Sequence, residues 1–188
     1  MANNSSNVAI GKGVQGGYIY SAELGADLPT DYSTEIDETV YTCLGYISED
    51  GIAETTEESA TEVVDMRGDT VLVESGTHAK KFTFTEIETK AAVLAEFFGE
   101  DCVTDEGGVI TVKEVSGART ERVYVFDLVL SGDRRERIVV PDGKVTEVTD
   151  ITYASGSVVG YGQTVTAFPD DGGVKTIRYI ASTETEAA

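Results

Sequence analysis

The chain has 188 residues, with 14 lysines and arginines against 34 aspartates and glutamates, for a formal net charge of −20. That length suits one domain with arms, and that charge repels nucleic-acid phosphates, which excludes binding by phosphate neutralisation. Leu, Ile, Val and Phe make up 47 residues, a quarter of the chain, more than a disordered acidic protein carries. The longest apolar stretch, around 123–130, is too short to cross a bilayer as a helix. The first 30 residues hold one lysine and no apolar run longer than three, so no secretory signal is expected.

Val, Ile and Thr number 23, 11 and 23, against 7 Leu. Branched side chains lose rotamer freedom in a helix and pack well on a pleated surface, so the domain is expected to be mainly β. Residues 1–13 are small and polar and read as a flexible arm that orders on a partner; 182–188 read as a flexible tail. GGYIYSAE at 16–23 is a strand candidate. Residues 24–60 then run through acids, small residues and turn formers as a long acidic loop, broken only by the apolar VYTCLGYI at 40–47. So long an irregular stretch is expected to be disordered or to lie on another chain. Residues 1–66 hold one base and 13 acids, whereas 67–188 hold 13 bases and 21 acids. An arm so acidic suits a complementary neighbouring surface.

From residue 61 strands follow closely: TEVVDM (61–66), DTVLVES (69–75) and KKFTFTE (80–86). Phe82 and Phe84 share one face and Thr83 and Thr85 the other. A helix is expected over about 86–98. Thr85 and Glu88 form its capping box, Ile87, Ala91, Leu94 and Phe98 its apolar face, and Gly99 its terminator. Further strands are expected at 109–115, 121–131, 135–141, 144–153, 157–168 and 174–181. Turns at SGDR (131–134), PDGK (141–144) and PDDGG (169–173) separate some of them. The strand 121–131 is apolar on both faces apart from Asp127 and should be covered on both sides. Close strands with one helix give an antiparallel β-sandwich or barrel over 14–181 with one flanking helix.

No catalytic constellation emerges. His78 is the sole histidine; there is no nucleophile elbow, no Walker lysine and no Rossmann glycine pattern after a strand. Acid pairs for a glycosidase abound by chance alone. The acidic turns at Asp101, Asp105, Glu106, Asp170 and Asp171 do not match a calcium-binding hand loop. Cys43 and Cys102 lie 59 positions apart with no histidine near, which argues against zinc and favours two free thiols. No cofactor is expected. Arg134, Arg135 and Arg137, with Lys144, form a basic group, read either as outward charges on a hairpin or as cations that receive an acidic loop from a neighbouring copy.

The order of segments carries a resemblance. AELGADLPTD (22–31), LGYISEDGI (44–52) and the strand-to-helix passage 82–99 resemble the major tail tube proteins of long-tailed bacteriophages, especially those of actinobacterial hosts. The resemblance implies a non-enzymatic virion protein that forms homo-hexameric rings stacked into a tube, with one sheet of each sandwich joined to its neighbours around a lumen. Its partners would be the tape-measure, tail terminator and tail-tip proteins, with DNA passing through the lumen unbound and no membrane involved. Ring-stacking contacts would fall in residues 1–60, with Tyr18, Tyr20, Leu28, Pro29 and Tyr46 as anchors; those tyrosines equally suit a role covering the subunit's own core. The rival readings are an acidic β-sandwich binding module such as an adhesin or carbohydrate binder, a hydrolase using acid pairs, and the tube of a contractile tail, tailocin or secretion system.

Overall fold

The computed structural model describes residues 8–117 and 119–182; the expected tail beyond 182, and the first seven residues of the arm, lie outside them. In chain order the elements are β1 (Lys12–Gly13), β2 (Ile19–Glu23), β3 (Thr42–Cys43), β4 (Ile47–Val64), β5 (Thr70–Glu86), α1 (Ala91–Phe98), β6 (Val103–Glu106), β7 (Val109–Val112), β8 (Arg122–Leu130), β9 (Arg134–Val148), β10 (Tyr161–Ala167) and β11 (Ile177–Ile180). Strands dominate, all pairings are antiparallel, and one α-helix flanks them.

The principal sheet runs β3-β2-β8-β9-β10-β5-β4, with β1 beside β8 and β11 beside β9. It closes over itself. β8 and β5 are three places apart in that order, which in a flat sheet is about 14 Å. Yet Phe82 on β5 stacks on Phe126 on β8 with ring centroids 4.7 Å apart, and Phe84 meets the same ring edge-on at 5.9 Å. The core between these layers contains Ile19, Leu44, Phe82, Phe84, Tyr124, Phe126, Ile138, Val140, Val145 and Val165. The result is a β-sandwich with the alternation of Phe82 and Phe84 facing inward, as their spacing required.

β9 makes the sandwich possible by serving both layers. Its first part pairs with β8 and β11, its last part with β10. The expected turn at 141–144 does not form; those residues run through β9. The register shifts there: Val140 faces Tyr124 and Gly143 faces Arg122, so Pro141 and Asp142 together oppose the single residue Val123. Pro141 therefore sits at a bulge, where its missing N–H costs the ladder little. Gly143 has no room for a side chain: an added Cβ would lie 2.9 Å from Tyr124 Cδ2 and 3.0 Å from Val165 Cγ1. The turn at 131–134 is present, with Gly132 and Asp133 at φ 79° and 56°. So is that at 169–173, where Asp170 Oδ1 accepts the N–H groups of Gly172 and Val174 at 2.9 and 2.8 Å.

Three further expectations are corrected. The helix starts at Ala91, not 86, because β5 runs on through Glu86 and keeps Thr85 in the ladder. No capping box forms: Lys90 is the N-cap without a side-chain bond, and Glu88 instead accepts the N–H of Tyr46 at 2.8 Å. The buried helix face is then Val93, Leu94 and Phe97, packed on Tyr161 and on the small β6–β7 hairpin. Gly99 does end the helix, its N–H donating to Ala95 O.

The second correction concerns residues 24–60. Residues 24–41 lie on the subunit's own sheet, where Ala26, Leu28 and Ile36 pack with Tyr41 over Val123, Val125 and Val139. This is the cover that the two-faced apolar strand demanded. Tyr41 donates its hydroxyl proton to Asp27 O at 2.9 Å, and the Asp31 carboxylate accepts the N–H groups of Ser33 and Thr34, both at 2.6 Å. The Thr34 hydroxyl, donating to the same carboxylate at 2.6 Å, and then those two N–H groups hold the Asp31 carboxyl well below the ordinary range.

The third is larger. Residues 47–64 are not a loop but one arm of a long hairpin whose other arm is β5. The expected strands 61–66, 69–75 and 80–86 all belong to it. Its turn is built by Asp65, whose carboxylate accepts from the backbone N–H of Arg67 and of Asp69 at 2.8 and 3.0 Å, with Gly68 at φ 92°.

Candidate functional site

The hairpin is the most exposed regular element. Every residue from 53 to 78 is exposed, on both faces and at the turn. β5 pairs with β10 only from Lys80 to Glu86, so beyond Lys80 the hairpin is a two-stranded ribbon with no third strand beside it among the described residues, touched near its root by Lys175, which donates to His78 O. Such a ribbon is at best marginally stable in water without a further strand or a packed face. Its far end is also apolar. Val63 and Leu72 face each other in register, and Val64, Val71 and Val73 are half or more exposed, with Met66 fully so. Acids surround them at Glu62, Asp65, Asp69 and Glu74. β4 also ends the strand order, so one edge of this long strand has no ladder partner among the described residues. Long, open edges recruit another chain unless they are covered.

The root of the ribbon is anchored by charge. Lys80 and Arg178 both pair with Glu54, and Arg178 also reaches Glu136 at 2.7 Å. Burial pushes the Glu54 carboxyl up; Lys80 and Arg178 outweigh it and hold it below the ordinary range. His78 lies along the ribbon, its Nε2 3.5 Å from Glu58.

The expected anchors divide. Tyr20 and Leu28 are half-buried on the subunit's own core, and Pro29 is half-buried beside Leu28. Tyr18 packs on the main core and meets Tyr46 edge-on, ring centroids 6.2 Å apart; Tyr46 itself is 63 % exposed. The basic group divides too. Arg134 and Arg135 are half-exposed with no carboxylate within ion-pair distance among the described residues, and Lys144 pairs loosely with Glu121 at 3.8 Å.

Arg137 is a correction. It is not an outward charge but 1 % exposed, a fork on Asp127 through Nε at 2.6 Å and Nη2 at 2.8 Å, while Nη1 donates to Asp31 O at 3.0 Å. Asp127, the acid in the middle of the apolar strand, thus neutralises its register partner on β9, and Arg137 pins segment 24–41 above them. The ladder closes at Leu130 opposite Arg134, and counting back from that pair brings Asp127 opposite Arg137; counting from the expected turn at 131–134 is one residue off and would place Ile138 there.

Sequence reasoning missed a second buried polar group. Glu96 on α1 accepts the Ser21 hydroxyl at 2.5 Å and the Tyr124 hydroxyl at 2.7 Å, with Arg122 Nε 3.0 Å away. Burial, then the field of Glu96, pushes the Tyr124 phenol up. Glu86, at the end of β5, is fully buried, and neither carboxylate oxygen has a hydrogen-bond partner in the structure. Burial and Glu96 push its carboxyl up to about 9, against the smaller pull of Gln163 and Lys90. No group of three or more His, Cys, Asp or Glu able to hold a metal occurs among the described residues, and both cysteines are free. No helix of the described residues is long and apolar enough to cross a membrane.

What stands out is therefore an open β-edge, a projecting ribbon and an apolar tip. A family model described as Phage tail tube protein matches residues 1–188, the whole chain. No curated protein matches.

Proposed function

The chain belongs to the phage tail tube protein family, whose members are structural parts of a virion tail assembled from many subunits; from that premise we propose that it forms hexameric rings stacked into the tube through which DNA leaves the particle. The observation that carries this reading is the β4–β5 hairpin. An 18-residue strand with an open edge, on a ribbon exposed on both faces, is a liability in a monomer and an asset in a polymer. Neighbours that join edge to edge around a lumen complete its hydrogen bonding.

The reaching element in this proposal is the hairpin rather than the acidic segment 24–41, which already has a place on its own subunit. Tyr46, Arg134, Arg135 and the chain before β2 remain proposed contact residues, with Tyr18, Tyr20, Leu28 and Pro29 acting from behind by shaping that surface. The charge fits a conduit. A basic lumen would bind phosphate, release counterions and trap passing DNA, whereas six copies at −20 each bring about −120 formal charges to a ring. The tape-measure, tail terminator and tail-tip proteins are the proposed partners, and no catalytic step is proposed. Negative-stain microscopy of the purified protein over a range of concentrations tests the reading. Stacked rings or fibres with six-fold end views are expected; a monodisperse monomer at every concentration refutes it.

A further inference from the structure

An aspartate followed by glycine is open to backbone rearrangement, because a residue without Cβ lets its nitrogen approach the neighbouring carboxyl closely. The chain has three such pairs, Asp50-Gly51, Asp142-Gly143 and Asp171-Gly172. The fold treats them differently.

Asp142 and Gly143 lie in the β9 bulge. Burial, then the field of Glu121, pushes the Asp142 carboxyl up, which favours the neutral acid that the rearrangement consumes. Space decides against it. An added Cβ on Gly143 would meet Tyr124, Val165 and Val140 at 2.9, 3.0 and 3.1 Å, and Asp142 O is held by the Phe168 N–H at 2.8 Å, so a ring has no room to close. Asp171 sits in an exposed turn, yet the Gly172 N–H already donates to Asp170 Oδ1 at 2.9 Å. That bond aims the nitrogen at the wrong carboxylate and slows ring closure roughly fivefold.

Asp50 and Gly51 have neither protection. Ile47 faces Glu86 and Ile52 faces Phe84, so Ser48 to Gly51 together oppose the single residue Thr85. A bulge leaves its extra residues out of the ladder. Asp50 is exposed, and its carboxylate makes no hydrogen bond or ion pair among the described residues. Gly51 holds φ 74°, with nothing within 4 Å of an added Cβ. It borders an open groove of about 410 Å³ beside Gly11, Lys12 and Leu128, so water reaches it. Positive φ calls for glycine at this bend, which makes the launching point of the ribbon and the reactive pair the same two residues.

We propose that Asp50-Gly51 is a self-modification site, where the backbone converts from aspartyl to isoaspartyl at the root of the β4–β5 ribbon. The Gly51 nitrogen attacks Cγ of the neutral Asp50 carboxyl. A C–N bond forms, and the N–H proton and the carboxyl hydroxyl leave together as one water. The resulting succinimide takes one water back. Opening at the Asp50 backbone carbonyl gives isoaspartate, with one methylene added to the main chain; opening at Cγ restores aspartate. Nothing is oxidised or reduced and no second chain takes part, so the step does not depend on the tube reading. Ile47 and Ile52 pack on the main core at either side. The added methylene is therefore taken up in the bulge, and it alters the direction in which the exposed strand beyond Ile52 leaves the body.

Either opening of the ring brings in an oxygen atom from water, and the test reads that atom. The full chain, kept below the assembly concentration, is incubated near neutral pH in water enriched in heavy oxygen. It is then digested, and the peptides are read by mass spectrometry with electron-transfer fragmentation. Heavy-oxygen uptake and isoaspartyl fragments at residue 50, roughly fivefold or more above residues 142 and 171, are expected. In urea the three pairs should label alike, which assigns the difference to the fold. Asp170→Ala should raise uptake at 171 roughly fivefold by freeing the Gly172 nitrogen. Asp50→Glu, which needs a larger ring, should abolish uptake at 50 while the unfolding midpoint stays unchanged. Equal uptake at the three pairs in the folded chain, or none at residue 50, overturns the proposal.

Discussion

Glu86 should make the subunit less stable as pH rises, and Glu86→Gln should remove that loss. The residue is fully buried without a hydrogen-bond partner, and burial pushes its carboxyl up to about 9 from the ordinary 4.5. Below pH 4.5 it is neutral whether the chain is folded or not, so it adds no pH dependence. Between 4.5 and 9 the unfolded chain ionises and the folded one holds its proton, so folding must take up that proton from solution. Each pH unit in this window removes about 1.4 kcal/mol of stability. At pH 7 the accumulated loss is about 3 kcal/mol. Glutamine keeps the shape, carries no charge and can pair with the Gln163 amide, so the variant should be more stable by about that amount at neutral pH and close to wild type at pH 5. Urea unfolding of both proteins at pH 5, 6, 7 and 8, below the assembly concentration, measures the difference directly, and other titrating groups cancel in it. A gap between the two proteins that stays constant over this range refutes the reasoning.

Two further outcomes are expected. Arg137→Met leaves Asp127 buried without its partner and should cost about 3–5 kcal/mol in urea unfolding, whereas the double change Asp127→Leu with Arg137→Met should recover most of that loss; a double variant as unstable as the single one would show that the link to segment 24–41 matters more than the buried charge. Assembly followed by light scattering should quicken as salt rises, because screening relieves the repulsion between chains of net charge −20; tubes that fall apart in salt would make opposite-charge pairing the dominant attraction.

The inward alternation of Phe82 and Phe84 and the two-faced apolar strand 122–130 were legible because burial writes a period into the sequence. The ribbon was not legible for the same reason in reverse. Thr55 to Glu62 meet water on both faces, so no alternation marks them as strand, and their acids read as loop. Glu88 misled differently: its spacing from Thr85 suits a capping box, but the backbone of Tyr46, 42 positions away, competes for it and no local pattern records that. Arg137 shows how charge alone misplaces a residue. Among three arginines in four positions, only register separates Arg137, opposite Asp127, from its outward neighbours.

The projecting ribbon also bears on how long an assembly of these chains can become. In the proposed tube each ring is carried past the last along the axis, a translation, and translations do not close. Nothing within the polypeptide counts. In the proposed tube, growth by such a step halts only when a different molecule covers an end, and since the two ends of a head-to-tail stack are chemically unlike, the starter and the stopper must be unlike as well.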